Sequence, residues 1–324
     1  MSTGDRADSA GDAAEDAAVE VVGGVLAEPL RAQVQELAAA ASAHDGADAL
    51  SEDALLRLRT GADGVRHLLR RAGGELAGYA QLAGSGRELA GELLVHPRLR
   101  GRGHGRALLR AVGGAAAGRR VLLWAHGDVP AAAALAAGAG WVRTRELLRM
   151  HRPSAGLAEL AEPALPAGVR VRAFVPGADE EAWVALNAAA FAQHPEQGRW
   201  GVPDLLLREA EPWFDPSVLL LAQEGGQLLG FCWMKVQPHA AELYVLGVHP
   251  SAAGRGLGRA LLVRGLRAVA GPGAPGAVEL YVDGDNAPAV RLYSSLGFTR
   301  AAVDVQYAST PAAPPAAAAV PPAG

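Results

Sequence analysis

Isoleucine is absent from this chain of 324 residues, and lysine, asparagine and cysteine nearly so. Lys235 is the only lysine, beside 29 arginines (30 basic residues less one). Asparagine occurs only at Asn187 and Asn286, and Cys232 is the single cysteine. One cysteine excludes an internal disulfide framework and fits a reducing cytosol. The other scarcities are those of a GC-rich genome that replaces lysine, isoleucine and asparagine where it can. A residue of those types that stays in place is therefore worth following.

Other absences narrow the function. The net charge is −4 and the pI about 6.1, without the basic stripe of a nucleic-acid binder. No apolar run approaches the ~20 residues of a membrane span. The N-terminus lacks the basic start and apolar stretch of a signal peptide. The nine histidines are scattered without metal-ligand spacing, so no metal is expected. These features lead us to expect a cytoplasmic monomer that takes a small molecule, with no nucleic acid, membrane or metal.

What is present is a repeat. VHPRLRGRGHGRALL (Val95 to Leu109) returns as VHPSAAGRGLGRALL (Val248 to Leu262), 153 positions later (248 − 95). Around each copy the same order recurs: helices, a meander of strands, the glycine loop with its helix, then strand, helix, strand. In the second half DEEAWVALNAAAF reads as a helix with acids in its first turn. SVLLLAQ, GQLLGFCWMKV and AELYVLGV read as strands separated by short turns. We expect an acidic disordered tail over 1–22, an N-terminal domain over 23–152 and a Pro-rich linker over 153–168. A C-terminal domain over 169–307 and a Pro/Ala tail over 308–324 complete the chain.

A loop with alternate glycines, after a strand and before a helix, presents unshielded N–H groups to an anion. It is not a dinucleotide fingerprint: from Gly256 the third glycine would be Leu261, and from Gly254 it would be Arg259. Nor is there the Gly-Lys-Ser/Thr of a P-loop. The run Arg100-Gly101-Arg102-Gly103-His104-Gly105 resembles the R/Q-x-x-G-x-G/A coenzyme A signature of the GNAT acyltransferases. The second copy departs from it at Ala253. DGDNAPAVRLYSSLGF resembles the C-terminal block of the same family, through Asn286, Ala289, Tyr293, Gly297 and Phe298.

That resemblance implies an α/β fold: two tandem GNAT domains, each a mixed central sheet flanked by helices. It implies acetyl-CoA as acetyl donor. In the second half the coenzyme would meet the backbone of Leu246, Gly247 and Val248. The loop there runs Ala253, Gly254, Arg255, Gly256, Leu257, Gly258 and Arg259. The block from Asn286 through Ala287, Pro288, Ala289 and Val290 to Arg291 follows. In the first half Leu93, Leu94 and Val95 with Arg100 to Gly105 would do the same.

Acetylating an amine requires a base for its proton and an acid for the departing thiolate. Glu242, on the strand before the loop, is the candidate base, and Tyr293 the candidate acid. At the repeat offset Glu242 corresponds to Leu89, and at the offset set by Gly140-Trp141 and Gly297-Phe298 (157), Tyr293 corresponds to Ala136. The first half therefore keeps a coenzyme loop and lacks both proton-transfer groups. HPEQG, ELYVLGVHP and AVRLYSSLGF narrow the resemblance to actinobacterial tandem members of the family whose acceptor is a pseudodisaccharide amine. This implies that Glu52, Glu196, Lys235, Glu242 and Tyr281 contact the acceptor. Trp200, Trp213 and Trp233 read as core or as a sugar-stacking surface. An acceptor of another class, such as an aminoglycoside or a protein N-terminus, and a non-enzymatic acetyl-CoA sensor both remain open.

Overall fold

The computed structural model describes residues 18–310 except 62, 63, 85, 193, 195, 196, 239 and 272. The chain forms two compact units, one running to Leu147 and resuming at Ala302, the other spanning Leu148–Ala301. No helix among the described residues is long and apolar enough to cross a membrane.

In the first unit β1 (Val19–Gly23), β2 (Arg66–Ala72), β3 (Glu75–Ala83) and β4 (Glu88–Val95) form an antiparallel meander. β5 (Arg120–Ala125) joins β4 in parallel, and β12 (Thr299–Ala308) pairs antiparallel with β5. β1 begins within the stretch read from composition as a tail; three of its five residues are valine, and it pairs through Val19–Gly23 with β2. Helices α1 (Glu28–Asp45) and α2 (Glu52–Thr60) pack a leucine- and alanine-rich core around Tyr79. The Ser51 hydroxyl accepts from Ala54 N–H, and acids fill the next two positions, so α2 starts where capping and dipole favour it. Helix α3 (His104–Ala116) buries Leu108, Leu109 and Val112 in a second core with Leu68, Leu82 and Leu89. Helix α4 (Pro130–Gly138) and the start of β6 (Val142–Pro153) complete the unit.

The second unit repeats the plan. Its strand order is β7 (Arg170–Ala173), β8 (Leu219–Glu224), β9 (Gln227–Val236), β10 (Ala241–Val248), β11 (Ala277–Asp283) and the end of β6. Every residue of β9 from Leu228 to Lys235 is buried, as expected of a strand covered on both faces. One cover is α5 (Glu180–Ala190) with α6 (Val202–Glu209), around Trp183. The other is α7 (Leu257–Ala268), whose Leu257, Leu261, Leu262 and Leu266 are buried at helical spacing. Gly265 brings α7 close to β9: a Cβ there would lie 2.6 Å from Cys232 Sγ. Helix α8 (Ala287–Ser295) follows β11.

One irregularity distinguishes the units. β3 and β4 pair in unbroken register from Gly78↔Val95 to Ala83↔Ala90. β9 and β10 pair from Gly230↔Val248, but the register shifts at a bulge between Leu243 and Val245, which skips Tyr244. Tyr244 is one extra residue. It moves the correspondence of Glu242 from Leu89 to Ala90, because the ladder pairs Leu89↔Val121 and Ala241↔Val278 match at an offset of 152 (241 − 89). The parallel ladder responds. In the first unit it runs through Glu88, Leu89, Ala90, Gly91 and Glu92; in the second it covers only Ala241, Glu242 and Leu243. Strand β10 continues to Val248, so its backbone from Tyr244 onward lies beside β11 without pairing to it.

Candidate active site

Both glycine loops take the same backbone path. Gly101 and Gly103 have φ of 74° and 88°, and Gly254 and Gly256 have 75° and 76°. Only glycine adopts this left-handed conformation freely. Gly103 and Gly256 are the N-caps of α3 and α7, and neither helix start has a side-chain cap. A Cβ at any of the four would meet no atom within 4 Å. The space beside these glycines is open and no side chain caps either helix start, which suits a pyrophosphate.

The loops differ in their arginine. Arg100 forms a bidentate pair with Asp45, at 2.6 and 2.7 Å, and its Nε donates to the Val95 carbonyl at 3.1 Å. That hydrogen-bonded pair holds the Asp45 carboxyl below its ordinary value. In the second loop Ala253 makes no such tie, and Arg255 instead meets Glu224 at 3.2 Å.

Glu242 and Lys235 are direct partners across the β9–β10 ladder, with Nζ 4.0 Å from Oε2. The corresponding first-unit pair is Ala83↔Ala90. The Lys235 side chain is 8% exposed and that of Glu242 24%, so the lysine is buried while the carboxylate still reaches solvent. Lys235 Nζ lies 4.7 Å from the centre of the Trp213 ring and 5.4 Å from that of Tyr244. The Tyr244 hydroxyl accepts from Arg208 Nε at 2.8 Å, and the Arg208 guanidinium lies over Trp200 at 3.7 Å. Trp233 is fully buried among Trp183, Trp213 and Tyr244. Of the three tryptophans, Trp233 is therefore core, while Trp200 and Trp213 stack on cations.

Tyr293 is buried, with its ring against Phe298. Burial, and then the nearby Cys232 thiol, push its phenol above the ordinary value. Burial likewise pushes Cys232 up to about 12. Cys232 points at α7, whereas Trp233, its neighbour on β9, faces the α5 and α6 core. Alternation along β9 thus puts Tyr293 and Lys235 on opposite faces of the sheet.

A model of the acetyltransferase (GNAT) family matches residues 32–141 and again 183–298. A mycothiol acetyltransferase of Kineococcus radiotolerans is 65% identical over 86% of this chain and 92% of its own length. One of Thermomonospora curvata is 54% identical over 88% and 96%. Among solved structures, a GCN5-related N-acetyltransferase from Sphaerobacter thermophilus shares the fold, with a TM-score of 0.66 at 25% identity over 89% of this chain and 95% of that one. A tandem GNAT protein of the clavulanic acid pathway has a TM-score of 0.69 at 20% identity, over 91% and 99%. The chain belongs to the GNAT acetyltransferase family. It is an acetyltransferase built from two such domains, and enzymes of this family use acetyl-CoA. The open left-handed loops and the end of β10 that β11 does not pair fit that coenzyme.

The remaining expected site residues lie as follows. Leu246, Gly247 and Val248 are on the part of β10 that does not pair with β11. Asn286 caps α8, its Oδ1 accepting from Ala289 N–H at 3.2 Å. Tyr281 is on β11 beyond the end of the parallel ladder and is exposed. Glu52 opens α2 in the first unit, and Glu196 lies outside the described residues. Its neighbour Gln197 is tied to the other asparagine: Asn187 Nδ2 donates to the Gln197 carbonyl at 2.7 Å. Sequence reasoning missed Tyr244 and Arg208 as organisers of this region, and singled out Asn187 by its scarcity without giving it a role. It also missed a buried cluster in the first unit, where His126 Nδ1 lies 3.0 Å from Asp304 and Nε2 3.7 Å from Glu92.

Proposed function

We propose that the second unit transfers acetyl from acetyl-CoA to the cysteinyl amine of 1D-myo-inositol 2-(L-cysteinylamino)-2-deoxy-α-D-glucopyranoside, giving mycothiol and CoA. The observation that carries this reading is the 65% identity, over nearly the full length, to a protein named mycothiol acetyltransferase. Acetyl-CoA supplies an activated thioester. The residues of this chain supply the proton transfers and the alignment.

An α-amine has a pKa of about 7.7–8.0, so near neutrality little base strength is needed. Glu242 takes the proton as the amine nitrogen bonds to the acetyl carbon. The carbon–sulfur bond breaks, and Tyr293 offers its proton to the departing thiolate. The β10 backbone near Leu246, beyond the end of its ladder with β11, supplies an N–H to polarise the carbonyl. Approach of the acceptor from the Lys235 face and departure of sulfur on the Tyr293 face agree with the opposite faces those residues occupy. Lys235, Glu242, Tyr281 and Glu196 would hold the hydroxyl-rich acceptor. The first unit, with Ala90 and Ala136 at the two key positions, holds coenzyme without transferring acetyl.

The test is turnover of acetyl-CoA with a panel of amines: the cysteinyl-glucosaminyl-inositol, an aminoglycoside and a peptide N-terminus. This acceptor and its product both carry a thiol, so the acetylated product is followed by mass rather than by thiol reagents. Rapid acetylation of the pseudodisaccharide alone is expected. Turnover only on another amine, or none at all, refutes the reading.

A further inference from the structure

The Lys235–Glu242 pair has its own support, and that support is absent from the first unit. We propose that Trp213 and Tyr244 are positioning residues whose ring faces hold the Lys235 ammonium beside Glu242, with Arg208 fixing Tyr244. The role assigned to the lysine rests on the reading above.

Four observations converge. Lys235 is nearly buried, and an ammonium removed from water needs a compensating partner. Trp213 and Tyr244 face it at 4.7 and 5.4 Å, within the range of a cation–π contact. Their own rings are 5.1 Å apart, so they form one corner rather than two separate contacts. Arg208, itself buried between Trp200 and the Tyr244 hydroxyl, keeps that corner from turning.

The repeat separates function from folding. The first unit builds the same sheet with Ala83 opposite Ala90 and no bulge. The fold therefore requires neither the charged pair nor Tyr244. The second unit carries the pair, the inserted tyrosine and the aromatic corner together. The insertion also ends the parallel ladder after Leu243. One residue thus opens the strands and supplies a wall for the lysine. A flexible lysine held in this way stays next to the base, where it can orient an acceptor hydroxyl or carbonyl.

Because Lys235 is the only lysine, isotope-labelled lysine gives a single side-chain NMR signal. The clamp predicts an upfield ring-current shift of the Lys235 ε-methylene. That shift shrinks in Trp213→Leu and in Tyr244→Leu and is largely kept in Trp213→Phe. A wild-type signal at the free-lysine position overturns the clamp whatever the enzyme's substrate. In steady-state kinetics, Trp213→Leu is expected to lower kcat/KM for the acceptor about tenfold and leave KM for acetyl-CoA unchanged. In a Lys235→Met background the same substitution is expected to have little further effect. An equal loss in both backgrounds, or an equal change in KM for acetyl-CoA, shows a merely structural role and overturns the proposal. Failure of the pseudodisaccharide as acceptor, with the NMR shift intact, counts against the proposed function and leaves the clamp standing.

Discussion

Asp304→Asn removes one carboxylate from the buried cluster of the first unit and changes little in volume. In the intact protein His126 sits between Asp304 and Glu92, while Asp304 also accepts from Gly127 N–H at 2.8 Å and Glu92 from Ser51 N–H at 2.8 Å. Burial alone would lower the His126 pKa, but the two carboxylates outweigh it and raise it to about 10. A histidine raised this far above its unfolded value of ~6.5 stabilises the fold fully below pH ~6.5. That contribution is lost as pH rises through about 10. At pH 7 the linkage is worth at most about 4 kcal/mol. Removing one partner of a buried charge costs about 3–5 kcal/mol, the same scale as the linkage. Hydrogen exchange of the β12 amides Val305–Ala308 reports the first unit specifically. Wild-type protection should fall between pH 7 and 10, after correction for the intrinsic exchange rate. Asp304→Asn should weaken protection at pH 7 and flatten the pH dependence. Unchanged protection in the variant, or a flat wild-type profile, refutes the reasoning.

Three further outcomes follow from the second unit. Gly265→Ala places a methyl 2.6 Å from Cys232 Sγ and 3.2 Å from Met234 Sδ. The clash should cost about 1–3 kcal/mol and outweigh the helix-propensity gain of ~1 kcal/mol; a raised calorimetric Tm would contradict it. Tyr293→Phe should lower kcat about 100-fold. Because burial keeps the phenol protonated, that factor should be constant from pH 6 to 9. A basic limb within this range that vanishes in the variant would count against the assignment. Asn187→Ala should release the turn at Gln197 and raise KM for the acceptor more than KM for acetyl-CoA, as read from initial rates.

Much of this was legible in the sequence because the repeat supplied its own alignment. Apolar periodicity placed α5, α7 and the central strands, and the left-handed glycines were implied by their alternate spacing. The bulge was also written there. Gly78-Tyr79 and Gly230-Phe231 are 152 apart, whereas the glycine loops are 153 apart, so one residue must be extra between them. A constant offset hid this and paired Glu242 with Leu89 rather than Ala90. Other features depend on long-range pairing that no local pattern encodes. β6 (Val142–Pro153) and β12 (Thr299–Ala308) each run across a boundary between the units, and no local pattern marks that crossing. The His126 cluster assembles residues 178 positions apart. Trp213 reads as an ordinary core aromatic until Lys235 is seen against it. The scarcity argument fared well: the lone lysine and both asparagines each make a specific contact in the second unit.

The central claim is that chemistry belongs to the second unit and the first only holds coenzyme. The most direct test is kcat of full-length Glu242→Gln with acetyl-CoA and the cysteinyl-glucosaminyl-inositol. The account predicts a fall of about 100-fold or more, with acetyl-CoA affinity unchanged by calorimetry. Turnover at the wild-type rate would contradict it and move the chemistry elsewhere in the chain.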